Sequence, residues 1–333
     1  MSLPFATAYA DGHGYSGAGT VVVSDGGAMS DKVTFSMSGV SMPESGMAYE
    51  GWLANSSGDE KVSTGLMTVM PGGSISHSWI DPDGANLLAL YDTVIITVEP
   101  VPDDDPAPSD VIAFSNTLSS DLIDPVRELV GGEQAVVPML QAQISAAMGK
   151  IRDAQAADTT DALHAATQEA VDIIDAEDGI IALASTTEEL GSDVYQAALN
   201  ALVRDACECV MKSGENIQAW AIAAREDAAA VMAENDLNTA KTLLNIVNGK
   251  LMAAANGIDA AEMGGASDAY THAQKIATFT LPAPVEAAAA AAAPSVGDAY
   301  VPAAMQIMLI AALALLIGGG VLLHRERRTS AGA

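Results

Sequence analysis

Cysteine is nearly absent from this chain: two in 333 residues, Cys207 and Cys209, both within DACECVM. That excludes a disulfide-stapled scaffold, a CxxC redox pair and a CxxCH haem site. On a helix, positions i and i+2 point about 200° apart, so the two thiols are not placed to bond each other. One reads as a core residue, since a free thiol packs as a small hydrophobe. An intermolecular disulfide is the alternative in an oxidising compartment. Aromatic residues are sparse at 4%, and Lys and Arg number 14 against 43 Asp and Glu, for a formal charge of −29. Phosphate binding needs clustered Lys and Arg, so nucleic acid and anionic headgroups are excluded as partners. A surface this acidic keeps a protein soluble and attracts divalent cations or basic partners.

Catalytic signatures are missing as well. The five histidines, His13, His77, His164, His272 and His324, form neither HExxH nor HxH. There is no GxSxG elbow, no P-loop and no dinucleotide fingerprint. Paired carboxylates are too common in so acidic a chain to identify a site. No catalytic residue is assigned, and the chain is expected not to be an enzyme.

What is present begins with one long apolar run, Ala303 to Leu323 (AAMQIMLIAALALLIGGGVLL), with no charge and one amide. At about 1.5 Å per residue it covers roughly 30 Å, the thickness of a hydrocarbon core. It predicts a single transmembrane helix, with Gly318, Gly319 and Gly320 as the surface where another helix would approach. The basic tail over 324–333, with Arg325, Arg327 and Arg328, favours the cytoplasmic side, which places everything before it outside. Residues 1–10 end in Ala8-Tyr9-Ala10, a small-x-small pattern, and are read as the remnant of a longer signal peptide.

Composition divides the exterior part near residue 120. Residues 11–118 are rich in Val, Thr, Ser and Gly. KVTFSMSG alternates Val33, Phe35 and Met37 with polar residues, and DTVIITVE sets Val94, Ile96 and Val98 on one face, the period-two signature of a strand. Breakers such as Asp25-Gly26-Gly27, Pro71-Gly72-Gly73 and Asp81-Pro82-Asp83-Gly84 separate the runs. About seven strands, at 18–24, 32–39, 47–53, 61–69, 74–80, 92–99 and 110–115, predict an antiparallel β-sandwich.

Three segments carry a family resemblance: Tyr49-Glu50-Gly51-Trp52-Leu53, Lys61-Val62-Ser63-Thr64-Gly65-Leu66, and Asp92 to Pro100 followed by the acidic, Pro-rich turn 102–108. Over about residues 45–116 the chain resembles the extracytoplasmic domain of the anti-sigma-K factor family. Those regulators place a cytoplasmic sigma-binding domain first, then a membrane span, then the sandwich. Here the sandwich comes first and no anti-sigma cytoplasmic domain is recognised. The resemblance therefore implies a shared sensor-like or adhesive module rather than anti-sigma activity by this chain alone.

Residues 119–281 are dominated by Ala, Leu, Ile, Asp and Glu. Residues 121–133 read as a linker or short helix. Leu140, Ile144, Ala147, Met148 and Ile151 follow helical spacing, and helices are expected at 136–157, 159–176, 187–212, 215–234, 236–256 and 266–278. Asp158, Asn235 and Asp236 are candidate N-caps. Short polar loops between Ala-rich helices predict an antiparallel bundle. Residues 154–174 align without gaps on 231–251, which suggests a duplicated helical hairpin. Residues 282–302, with Pro282, Pro284 and Pro294 flanking an alanine run, read as a stalk.

Candidate metal ligands are His164 with Asp161 and His272 with Asp268, each pair on one helical face. If the hairpins pack together, both pairs could converge with Glu169 or Asp172 on one cation, since zinc needs about four N, S or O ligands. The alternative is a surface hydrogen bond at each histidine. A divalent cation is the one cofactor considered. The acidic stretches 103–105, 81–84 and 172–178 lack the spacing of a calcium loop.

The expected fold is thus an N-terminal antiparallel β-sandwich, an Ala-rich helical bundle and a single C-terminal transmembrane helix. The expected role is sensing, adhesion or scaffolding at the cell membrane, with a membrane-protein or surface partner. Two alternatives are a metal- or cofactor-binding envelope protein that uses the bundle histidines, and a surface protein whose C-terminus is a cleavable sorting signal.

Overall fold

Alternating residues build the first half of the fold. The computed structural model describes residues 14–198 and 200–281. Its strands β1 (Ala18–Ser24), β2 (Lys32–Ser38), β3 (Met47–Ala54), β4 (Lys61–Met67), β5 (Ile75–Ile80), β6 (Thr93–Pro100) and β7 (Ile112–Thr117) fall close to the positions read from the alternation, with the short helix α1 (Leu87–Leu90) between β5 and β6. Val33, Phe35 and Met37 of β2 all point into the core, as do Val94, Ile96 and Val98 of β6. Each large side chain buried there contributes roughly 1.5–3 kcal/mol.

The strands form two antiparallel sheets, ordered β5-β2-β1-β8 and β4-β3-β6-β7. The eighth strand, β8 (Phe279–Leu281), comes from the far end of the helical region. It pairs antiparallel with β1, Val21 opposite Phe279 and Gly19 opposite Leu281. Both seams between the sheets are tied by a side chain reaching a main-chain carbonyl. His77 Nε2 donates to Thr64 O at 2.7 Å on one side, and Asn116 Nδ2 donates to Thr280 O on the other.

The helices are α2 (Ser120–Val130), α3 (Val136–Ala156), α4 (Thr160–Asp175), α5 (Ile180–Ala197), α6 (Ala201–Ala233), α7 (Leu237–Asn256) and α8 (Ala266–Ile276). Two hairpins, α3–α4 and α6–α7, pack side by side, α3 against α7 and α4 against α6. Gln155 Nε2 links them, donating to Lys241 O at 3.0 Å. The segments 154–174 and 231–251, aligned in the sequence, cover the ends of α3 and α6, the loops that follow and most of α4 and α7. Thr159 and Asp236, equivalent in the alignment, cap α4 and α7, accepting from Ala162 N and Thr239 N. A threonine or aspartate there satisfies an otherwise orphaned N–H.

Helix α5 lies against α6, and α8 packs on α6 and β1. The sandwich core runs without interruption into Ile123, Val126 and Leu129 of α2, Cys207 and Val210 of α6, and Ala273 and Ile276 of α8. A second core, around Leu140, Ile144, Leu163, Ile217 and Leu244, lies within the hairpins. Sandwich and helices accordingly belong to one compact unit.

The expected architecture needs correction. Among the described residues no helix is long and apolar enough to cross a membrane. Even the longest, α6, carries Arg204, Asp205, Glu208, Lys212, Glu215 and Arg225. The architecture supported is two β-sheets followed by helices, without the C-terminal transmembrane helix as one of its elements. The run 303–323 with Gly318, Gly319 and Gly320, the stalk 282–302, the tail 324–333 and the signal remnant 1–10 all lie outside the described residues. A further difference is that α6 is continuous through Ser213-Gly214, where a break was expected. A Cβ on Gly214 would stand 2.8 Å from Ala184 O and 2.9 Å from Glu188 N. The glycine therefore lets α5 and α6 approach closely and does not end a helix.

Candidate functional site

Helices α6 and α8 each turn one stripe of side chains toward the other beside β1. On α8 the stripe is Asp268, His272 and Lys275, at i, i+4 and i+7, on one face of the helix. Its opposite face, Ala266, Ala269, Ala273 and Ile276, is buried. On α6 the stripe is Leu202, Asp205, Cys209 and Lys212. Asp268 shares a cleft with Lys212 and Ser213, whereas Lys275 shares one with Leu202 and Asp205. The two helices therefore run antiparallel here.

Two clefts open along this junction. The first, about 310 Å³, lies between α6, α8 and the turn 257–265, and is lined by the acidic residues Asp259, Glu262 and Asp268 together with Lys212. The second, about 380 Å³, lies between α6, α8 and the outer face of β1, and is lined by Val22, Leu202, Ala206 and the methyl-bearing Thr20 and Thr278. Cys209 and His272 line both. Volumes of this size are typical of small-molecule sites.

The turn that walls the first cleft is tightly determined. Asn216 Nδ2 donates to Gly264 O at 3.2 Å, tying the turn to α6. Asp268 Oδ2 accepts from Gly265 N at 3.0 Å, which caps α8. A Cβ on Gly264 would come within 2.4 Å of Ser213 Oγ, so a side chain there would force Ser213 or the turn to shift. Glu262 adopts a left-handed backbone at φ 53°. The Asp268 carbonyl accepts from His272 Nδ1 at 2.9 Å, which fixes the ring and leaves its Nε2 edge without that bond.

Next to the clefts, α8 is bound to the β1–β2 turn by a polar cluster. Asp25 Oδ1 accepts from Tyr270 Oη at 2.9 Å, from Gln274 Nε2 at 2.6 Å and from Ser30 N at 2.8 Å. Gln274 Nε2 also donates to Ser30 Oγ at 2.9 Å. Burial, and then the hydrogen bond and negative charge of Asp25, push the Tyr270 hydroxyl well above its ordinary pKa. In the same turn Asp31 accepts from Gly26, Gly27 and Ala28 N–H. Its burial opposes the charge, but those N–H groups outweigh it and hold the carboxyl below its ordinary pKa.

The histidines expected to share a cation are placed as follows. The Glu234 carbonyl accepts from His164 Nε2 at 2.9 Å, on α4, while His272 lies on α8 at the clefts. Asp161 is in the first turn of α4 and Asp268 in the first turn of α8. Among the described residues no group of three or more His, Cys, Asp and Glu is placed to hold a metal ion. Of the expected site residues, the clefts gather His272 and Asp268. The remaining lining residues were not singled out from the sequence, because they meet only when α6 and α8 pack.

The residues that carried the family resemblance hold β3, β4 and β6 together. Tyr49 is fully buried in the core, and its hydroxyl donates to Ser41 O at 3.1 Å. Trp52 Nε1 donates to Thr97 Oγ1 at 2.9 Å across β3 and β6. A Cβ on Gly51 would stand 2.5 Å from Thr64 Oγ1 and 3.0 Å from Phe35. Glu99, buried, accepts from Ser109 N at 2.9 Å and so folds the acidic turn back on its strand. Comparison with protein families agrees: residues 5–112 match the family described as anti-sigma-K factor rskA, C-terminal. The match begins well before residue 45 and so takes in β1 and β2 as well, covering about a third of the chain. Neither the curated proteins nor the solved structures give a match.

Proposed function

We propose that this chain is a non-enzymatic regulatory protein of a sigma/anti-sigma circuit, acting outside the cytoplasm, in which the junction of the sandwich with α6 and α8 receives a ligand. The observation that carries the reading is the match of residues 5–112 to the C-terminal domain of anti-sigma-K factors. The family connection directs the search for partners toward sigma-factor regulation. The position of the clefts supports the sensing role. They lie where β1, α6 and α8 meet, so a ligand there would touch both the sandwich and the helices at once.

The test is a crosslinking pull-down of the full chain from native cells, paired with transcript profiling of a deletion strain. Recovery of a sigma factor, or of a protein that holds one, with altered expression of that factor's targets, is the expected result. Recovery of no such protein, with unchanged sigma-dependent transcripts, would overturn it. Protease accessibility on intact cells checks the location separately.

A further inference from the structure

We propose that the two clefts are one binding site for a cationic amphiphile, a molecule with an amine head and a single apolar tail. The proposal rests on reading this junction as the ligand-receiving site. The clefts adjoin, since Cys209 and His272 line both, yet their chemistry is opposite. The first collects Asp259, Glu262 and Asp268 against one ammonium, that of Lys212. Lys212 also lies 4.0 Å from Glu208, one turn back on α6. Three acidic residues against one lysine leave this cleft net negative, which favours an amine head, in a chain whose formal charge of −29 already draws cations toward it.

The second cleft takes the tail. Val22, Leu202 and Ala206 supply apolar lining, and Asp205 and Lys275, which also line it, are of opposite sign. Leu202 is 62% exposed, among the largest exposures of any big apolar side chain in the described residues. A hydrocarbon chain lying along it would remove that surface from water, the main driving force for such binding. An anionic head would face three carboxylates. A ligand without a tail would leave Leu202 exposed.

The experiment uses the full chain and three probes below their micelle concentrations: decylamine, decanoate and butylamine. Calorimetry should show saturable binding of decylamine, no binding of decanoate, and binding of butylamine weaker by about tenfold or more. Leu202→Asp should weaken decylamine about tenfold. Aspartate suits the first turn of α6, so this variant keeps its fold, as circular dichroism would verify. The pair Asp259→Asn and Glu262→Gln, on exposed turn positions, should also weaken decylamine. Decylamine should slow maleimide labelling at Cys209, where the clefts meet. Equal binding of decanoate, indifference to Leu202→Asp, or no binding of decylamine would each overturn the proposal. Saturable decylamine binding with no sigma factor or sigma-holding protein recovered and unchanged sigma-dependent transcripts would leave the site standing and sink the regulatory reading. An intact sigma circuit without amphiphile binding would do the reverse.

Discussion

The hydroxyl of Tyr270, on α8, donates a hydrogen bond to Asp25 Oδ1, in the turn after β1, at 2.9 Å. The two residues lie 245 positions apart in the sequence, and the bond joins α8 to the β1–β2 turn. Gln274, one turn further along α8 and 5% exposed, reinforces it by donating to both Asp25 and Ser30. Ser30 holds a left-handed backbone at φ 52°, which brings its N–H to Asp25. With β8 pairing onto β1 directly afterwards, this cluster fixes α8 on the sandwich and thereby sets the position of His272 and Lys275 in the clefts.

Removing either donor should loosen that attachment. Tyr270→Phe is expected to cost about 1–2 kcal/mol and Gln274→Ala about 1–3 kcal/mol in urea denaturation. The Tyr270 pKa is raised by burial and by Asp25. Its contribution is therefore complete below the unfolded value near pH 10 and declines as pH rises toward the folded value. The wild-type advantage over Tyr270→Phe should accordingly shrink above about pH 10. A gap that stays constant through that range would show that the hydroxyl does not act through its protonated form.

Asp31 gives the opposite dependence. Three backbone N–H groups hold its carboxyl below the ordinary pKa despite burial. Its contribution is present above the unfolded value of about 3.9 and is lost as pH falls through the folded value. Asp31→Asn should destabilise the protein by about 1–3 kcal/mol at neutral pH, because one acceptor oxygen is lost from a site that satisfies several donors. Thermal melts between pH 7 and pH 2.5 should show wild type losing its lead over Asp31→Asn only at the acid end. A lead that is already lost by pH 5 would contradict this assignment.

The strands were legible because one-sided burial writes itself into the sequence at period two. Val33, Phe35 and Met37, or Val94, Ile96 and Val98, alternate so regularly that their facing directions follow without a structure. β8 was not legible, because Phe279-Thr280-Leu281 is too short to show a period and follows a helical pattern without a breaker. Ser213-Gly214 misled for a different reason. Glycine marks both chain breaks and close helix contacts, and only the presence of Ala184 and Glu188 against Gly214 decides between them. Asn200 at the true break caps α6, its side chain accepting from Val203 N at 2.8 Å. At the clefts, Asp268 and His272 stood out as an i, i+4 pair. Cys209 and Leu202 did not, since their role depends on α6 meeting α8, which is a tertiary event.

Gly214→Ala tests the close approach of α5 and α6. The added methyl would lie 2.8 Å from Ala184 O and 3.0 Å from Glu188 Cβ. Main-chain atoms on the facing helix cannot move aside as a flexible side-chain tip would. The expected loss is about 1–3 kcal/mol, as for overpacking of a filled core, and outweighs the gain in helix propensity of about 1 kcal/mol that alanine brings over glycine. Gly149→Ala is the control. Its Cβ would meet only the tip of Arg152, 3.7 Å away, so propensity should dominate and the protein should become slightly more stable. Equal effects of the two substitutions in denaturant unfolding would refute the packing role of Gly214.

The two cysteines should differ sharply in reactivity although they are two positions apart. Cys207 is fully buried among the sandwich-facing residues of α6, and burial pushes its thiol up to about 12. The thiolate is the reactive form, so Cys207 should resist alkylation until the protein unfolds. Cys209 points the other way along α6, is partly exposed, and lines both clefts. Native maleimide labelling followed by peptide mass spectrometry should therefore modify Cys209 alone, and addition of denaturant should bring Cys207 to the same extent. Cys209→Ser should abolish native labelling with little change in stability, whereas Cys207→Ser places a hydroxyl in an apolar site and should destabilise by about 1–3 kcal/mol. Labelling of Cys207 in the native protein would mean that α6 opens from the sandwich far more readily than its burial allows.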